Sequence, residues 1–132
     1  MKCEHDLVKS SCPSCSVEQA WKRYDRAATR RGLSFSLSLS EFETLTQAAC
    51  TFCGQTPSNG VDRKDSRLSY YAENSQPCCK ICNRIKSDMD EYFLMRHIEK
   101  MCRHAQIRQA LKIAAHQEKL RKQKLASPQI AA

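Results

Sequence analysis

"CTFCGQTPSNGVDRKDSRLSYYAENSQPCCKICNRIK", residues 50–86, is the stretch on which the fold turns. Cys50-x2-Cys53 is followed, after 25 residues, by Cys79-x2-Cys82. Each pair offers two thiolates from one tight turn, and two such pairs can close a tetrahedral zinc site. Four thiolates leave no coordination position for substrate, so a zinc held this way is structural. Cys78 stands beside Cys79, but only Cys79 keeps the two-residue spacer, which makes Cys78 packed or spare. Disulfides are the other reading of paired cysteines, and an odd total of nine sits awkwardly with a full disulfide framework.

Between the two pairs, Asn59-Gly60 reads as a turn feeding a charged strand that carries Asp62-Arg63. Taken alone, the dipeptide is a surface ion pair on a hairpin, worth about 0–1 kcal/mol. Asn83, directly after Cys82, is by itself a helix-cap residue type. Lys80, Arg84 and Lys86 form either a solvated basic face or a phosphate grip.

Outside this stretch the chain is basic and short. Its 132 residues carry a formal charge of +8 at a sequence pI of about 9.1. Two occupied zinc sites would lower that to about +5, because ligand thiols are deprotonated. The balance still favours polyanions over acidic partners, and nucleic acid first among them. A chain of this length has a small core, so metal is expected to supplement apolar burial. The N-terminus lacks an apolar run of signal-peptide length, and no stretch approaches the ~18–20 apolar residues of a membrane span. The chain is therefore expected inside the cell, in the cytoplasm or on the nucleoid, where thiols stay reduced.

A second cluster, Cys3-x-His5 followed by Cys12-x2-Cys15, offers three thiolates and one imidazole. It reads as an N-terminal zinc knuckle over residues 1–16, or as incidental Cys and His in a loose N-terminus. Residues 17–49 follow as a basic helix, a short strand and a second helix. Over 17–31, Val17, Ala20, Trp21, Tyr24 and Ala28 recur at helical spacing, Arg23, Arg26, Arg30 and Arg31 take the other face, and Gly32 is the stop. "LSFSLSLS", residues 33–40, alternates apolar and polar and predicts a strand; Ser40 with Glu43 predicts the capping box of the next helix. From Asp88 on, Leu94, Ile98, Met101 and Ala105 form a helical stripe. The core is expected over 50–101 and a basic helix and tail over 102–132. Cys102 reads as a small buried hydrophobe.

Residues 50–86, with flanks that extend the likeness to residues 21–101, resemble the zinc-stapled HNH (His-Me finger) endonucleases, particularly the small forms of phages and large DNA viruses. The resemblance rests on the two Cys pairs, an Asp dipeptide, an Asn and a CxxC-Asn in that order. It implies an α+β fold: a small zinc-stabilised ββα-metal core flanked by basic α-helices. It also implies metal-dependent DNA cleavage, with Asp62 and Asn83 as ligands of one Mg²⁺ or Mn²⁺ ion and Asn74 bracing the loop. The family places His, its general base, where this chain has Arg63, and a guanidinium with a pKa above about 12 cannot accept a proton. Arg63 can instead bind the scissile phosphate, leaving Asp65, His97, His104 or a metal-bound hydroxide as base. The implied partner is double-stranded DNA, gripped by Arg23, Arg26, Arg30, Arg31, Lys80, Arg84 and Lys86. The alternative is a catalytically degenerate HNH fold that binds nucleic acid, or serves in a nucleoprotein assembly, without cutting.

Overall fold

Pro13 opens the first helix. Its fixed φ suits the first helical position, and helix α1 runs Pro13–Arg30 in the computed structural model, which describes Glu4 and residues 12–127. The helix thus starts four residues before the expected 17, inside the stretch read as a separate knuckle. It stops where the sequence predicts. Gly32 takes φ +71°, its N–H donates to the Thr29 carbonyl, and the Leu33 N–H reaches back to Ala28 at 2.9 Å. This is a Schellman closure, which favours glycine at the left-handed position.

The expected strand over 33–40 does not form. One isolated bridge joins Phe35 to Tyr70. Alternation still does its packing work, since Leu37 is buried and Leu33 and Phe35 lean on the same core, but no neighbouring strand continues the ladder. Ser38 then begins helix α2 (Leu39–Gln47). The capping box is formed by Ser38 and Glu41, at 3.1 and 2.8 Å, two residues earlier than Ser40 and Glu43. Both pairs satisfy the motif. The earlier register puts Leu37 just before the cap and Phe42 at the fourth helical position, the two ends of a hydrophobic staple, and both are buried.

Strands β1 (Val61–Arg63) and β2 (Ser75–Pro77) pair antiparallel, with Val61 opposite Pro77, Asp62 opposite Gln76 and Arg63 opposite Ser75. Val61 points into the core with Ala28, Leu37, Phe42 and Tyr70, so Asp62 must face the other side. Asn59 adopts φ +57° ahead of the strand. At Gly60 a side-chain carbon would collide with the Cys78 carbonyl oxygen and crowd the Tyr24 hydroxyl. The Tyr24 hydroxyl instead accepts the Val61 N–H at 3.1 Å, pinning β1 to α1. Helix α3 (Lys80–Lys86) follows β2 after Cys78 and Cys79 and is capped by Cys79.

Contacts divide the chain into two compact units, Met1–Glu91 and Tyr92–Ala132. The second is dominated by helix α4 (Glu91–Ala126), 36 residues without a break, about 54 Å long at 1.5 Å per residue. No change of structure falls at the expected 101/102 boundary. Of the stripe expected there, Leu94 is buried, whereas Met101 and Ala105 are exposed, and Cys102 is exposed rather than buried. No helix among the described residues is long and apolar enough to cross a membrane.

Candidate functional site

The sulfurs of Cys50, Cys53, Cys79 and Cys82 lie within 4.8 Å of one another, and no disulfide joins them. Cys53 Sγ and Cys79 Sγ are 3.7 Å apart. Four sulfurs at the ordinary Zn–S distance of about 2.3 Å have tetrahedral edges of about 3.8 Å, so the set fits zinc. The turns also polarise the thiols for that role. The Cys79 N–H points at Cys50 Sγ at 3.3 Å, and the Cys82 N–H at Cys79 Sγ at 3.4 Å. Burial works against ionising Cys50, but amide donors from Cys53, Cys79 and Phe52 outweigh it and lower its pKa to about 6. Cys78 is outside the cluster. Its thiol donates to the Cys79 carbonyl at 3.5 Å, and burial, with the Asp62 charge next, raises its pKa to about 12. Cys3 and His5 of the expected second cluster lie outside the described residues; Cys12 is buried at the start of α1 and Cys15 is half-buried one turn in.

Next along the chain, β1 delivers Asp62 into a polar interior. Asp62 is 5% exposed. Gln76, its cross-strand partner, donates to Oδ2 at 3.0 Å. Lys86 Nζ lies 3.3 Å from Oδ1 and 3.1 Å from Oδ2, and donates to the Arg63 carbonyl at 3.0 Å. Lys86 is fully buried, which overturns its expected place among the phosphate-gripping cations. A buried carboxylate needs a counter-charge, and Lys86 supplies it from α3.

Arg63 turns the other way along the strand. Its Nη1 donates to the carbonyls of Ser66 and Leu68 at 2.6 and 2.9 Å, and its guanidinium lies over the Tyr70 ring, 5.3 Å from the centroid. Among the described residues, Nε and Nη2 make no hydrogen bond to protein. Asn74 is buried at the end of a 3-10 turn (Ala72–Asn74) and ties the same loop. Its Oδ1 accepts the Asp65 N–H at 2.9 Å, and its Nδ2 donates to the carbonyls of Asp65 and Ser69 at 3.1 and 2.9 Å. Asp65 is held by Arg67 through both carboxylate oxygens, and these bonds lower its pKa to about 2.

An open cleft of about 580 Å³ brings Asp62, Arg63 and Asn83 together with Arg23 and Arg31 of α1 and with Asp88. A second cleft shares Arg23, Tyr24, Asn83 and Ser87 with the first and adds Lys80 and Arg84. Arg26 and Arg30 are exposed on α1 outside both linings. His97, His104 and His116 all belong to α4, so the described part of the first unit contains no histidine. Sequence reading missed Gln76, Asp88 and the true place of Lys86. The available signal was spacing: Lys86 falls three residues after Asn83, one turn along the same helix face.

The chain matches no known family profile. It is 32% identical over 73 residues to an uncharacterized protein of Acanthamoeba polyphaga mimivirus, a match covering 53% of this chain and 14% of that protein. Its structure is similar to that of the rare-cutting HNH restriction endonuclease PacI, with a TM-score of 0.55 and 23% identity over 80% of this chain and 89% of the other. The chain therefore has the mixed fold of an HNH nuclease, with a small antiparallel sheet between helices and a cysteine cluster compatible with zinc.

Proposed function

We propose that this chain is an HNH-like, metal-dependent DNA endonuclease. The observation that carries the reading is a single cleft on an HNH-like fold in which Asp62 and Asn83, a carboxylate and an amide, stand among Arg23, Arg31 and Arg63. One hard oxygen and one neutral amide suit a Mg²⁺ or Mn²⁺ ion that keeps most of its waters, and such an ion supplies Lewis-acid stabilisation of phosphate charge. The four cysteines would hold a structural zinc that ties the 50–53 turn to the start of α3.

The protein's own residues do the rest. Arg23 and Arg31 on one wall, with Lys80 and Arg84 of the adjoining cleft, bind DNA phosphates. Arg63, with Nε and Nη2 available, orients the phosphodiester, while its Nη1 holds the loop in place. Asn74 holds that loop through its hydrogen bonds to Asp65 and Ser69. Asp65 is a poor base, being held by Arg67 at a pKa of about 2. Asp88, a cleft carboxylate with no hydrogen-bond or ion-pair partner among the described residues, is the group available to take the proton of the attacking water.

Relaxation of supercoiled plasmid tests the reading. Wild-type protein with added Mg²⁺ or Mn²⁺ nicks or linearises the plasmid, and Asp62→Ala or Asn83→Ala abolishes this. Asp88→Asn lowers the rate about 10²–10⁴-fold, the usual contribution of a general base. Cleavage that persists in Asp62→Ala would falsify the assignment. Salt-sensitive binding with no cutting under any divalent ion would favour the degenerate, binding-only alternative.

A further inference from the structure

Asp62 is the only buried carboxylate among the described residues, and its oxygens are nearly saturated. Oδ2 carries both Gln76 and Lys86, while Oδ1 carries Lys86 alone, so one carboxylate position remains open. Lys86 has no exposed side-chain surface, and its third contact is the Arg63 carbonyl. The ammonium is thus coordinated by protein on three sides.

Charge on the cleft follows directly. Asp62 and Lys86 cancel, Asn83 is neutral, and Asp88 offsets one of Arg23, Arg31 and Arg63. What remains is net positive, a lining that attracts phosphodiesters and repels divalent cations. Resting on the endonuclease reading, we infer that Lys86 is a positioning residue, the resident counter-cation of Asp62, and that it makes divalent-cation binding at Asp62 and Asn83 depend on DNA. Phosphates of bound DNA would neutralise Arg23, Arg31 and Arg63 and offer ligands that Asp62 and Asn83 alone do not, so these two residues would hold a cation together with DNA. Lys86 leaves Asp62 as a one-oxygen ligand and keeps it in place while the cleft is empty of substrate. A site arranged this way resists loading with metal in the absence of substrate.

The test is Mn²⁺ binding to the full, zinc-loaded chain, followed by electron paramagnetic resonance with and without random-sequence duplex DNA. With DNA, about one Mn²⁺ per chain is expected beyond that held by DNA alone and by Asp62→Ala on the same DNA; without DNA, binding is expected to be at least about tenfold weaker. Lys86→Gln is expected to tighten Mn²⁺ binding in the absence of DNA by at least about tenfold, and to make Mn²⁺ raise its Tm more than that of wild type. Equal Mn²⁺ affinity of the wild type with and without DNA overturns the inference while leaving the nuclease reading intact. An unchanged Mn²⁺ affinity in folded Lys86→Gln also overturns it. Absence of any Asp62-dependent Mn²⁺ binding, even on DNA, overturns the metal-site reading itself and this inference with it. Should Lys86→Gln fail to fold, the wild-type comparison decides alone.

Discussion

Asn74 shows what one side chain can do for this site. A single buried amide makes three hydrogen bonds to the loop that runs from Asp65 to Ser69, using both its acceptor and its donor end. Truncation leaves loop amide and carbonyl groups unsatisfied in a partly buried setting, and an unmet buried group costs about 1–3 kcal/mol. Asn74→Ala is therefore expected to lose about 2–3 kcal/mol in urea unfolding and to loosen Arg63, whose Nη1 depends on carbonyls of the same loop. A loss under about 0.5 kcal/mol would mean the loop is held by Arg63 alone. Asp62 and Arg63 are adjacent in sequence yet have opposite fates, because alternate residues of a strand face opposite sides. The ion pair that the sequence suggests between them is absent; Asp62 pairs with Lys86, 24 residues away.

At the scale of elements, capping chemistry set the boundaries more tightly than hydrophobic pattern did. Helix α1 begins and ends on residues with fixed backbone preferences, Pro13 and Gly32, and its end was readable for that reason. Helix α2 offered two overlapping Ser-x-x-Glu registers, and only packing of Leu37 and Phe42 selected the first. Ser38→Ala is expected to cost about 1 kcal/mol, as loss of a helix N-cap does, whereas Ser40→Ala should be nearly neutral. Thermal unfolding of the two variants separates these outcomes, and equal losses would undo the register. The absence of a strand over 33–40 has the same physical origin. Alternation reports which residues turn inward, and it says nothing about whether a hydrogen-bonding neighbour lies alongside. Here Tyr70 supplies one bridge and no more.

For the whole molecule, the first unit is a modest apolar core set next to a cysteine cluster. The core residues Ala28, Leu37, Phe42, Val61 and Tyr70 fix α1, α2 and β1, while the sulfurs join the 50–53 turn to the start of α3. With zinc in the cluster, as proposed, its chelation should release α3, which carries Asn83 and Lys86, before the helices lose their packing. Treatment with a strong chelator is expected to abolish any DNA cleavage and to lower Tm, with Cys50→Ser reproducing both effects. A chelated chain with unchanged Tm and one normal unfolding transition would remove the structural role assigned to zinc. On the proposed reading, the basic residues lining the two clefts make DNA binding salt-dependent. Neutralising Lys80 or Arg84 should lower the slope of log K against log salt by about one each.

The sequence by itself determined the features that depend on short spacing: the two Cys pairs and the glycine end of α1. Each of these is a local matter, in which a ligand turn, a cap or a fixed dihedral acts within a few residues. Only the tertiary structure decided the partners of the candidate site residues. Lys86 reads as a surface cation until α3 docks on β1, and it then becomes the buried counter-charge of Asp62, because a carboxylate removed from water is stable only beside a positive group. The cleft likewise exists only once α1 brings Arg23 and Arg31 over β1 and α3. Long-range packing places charges within a few ångströms of one another, and at that separation electrostatics in a poorly solvated interior outweighs any local preference.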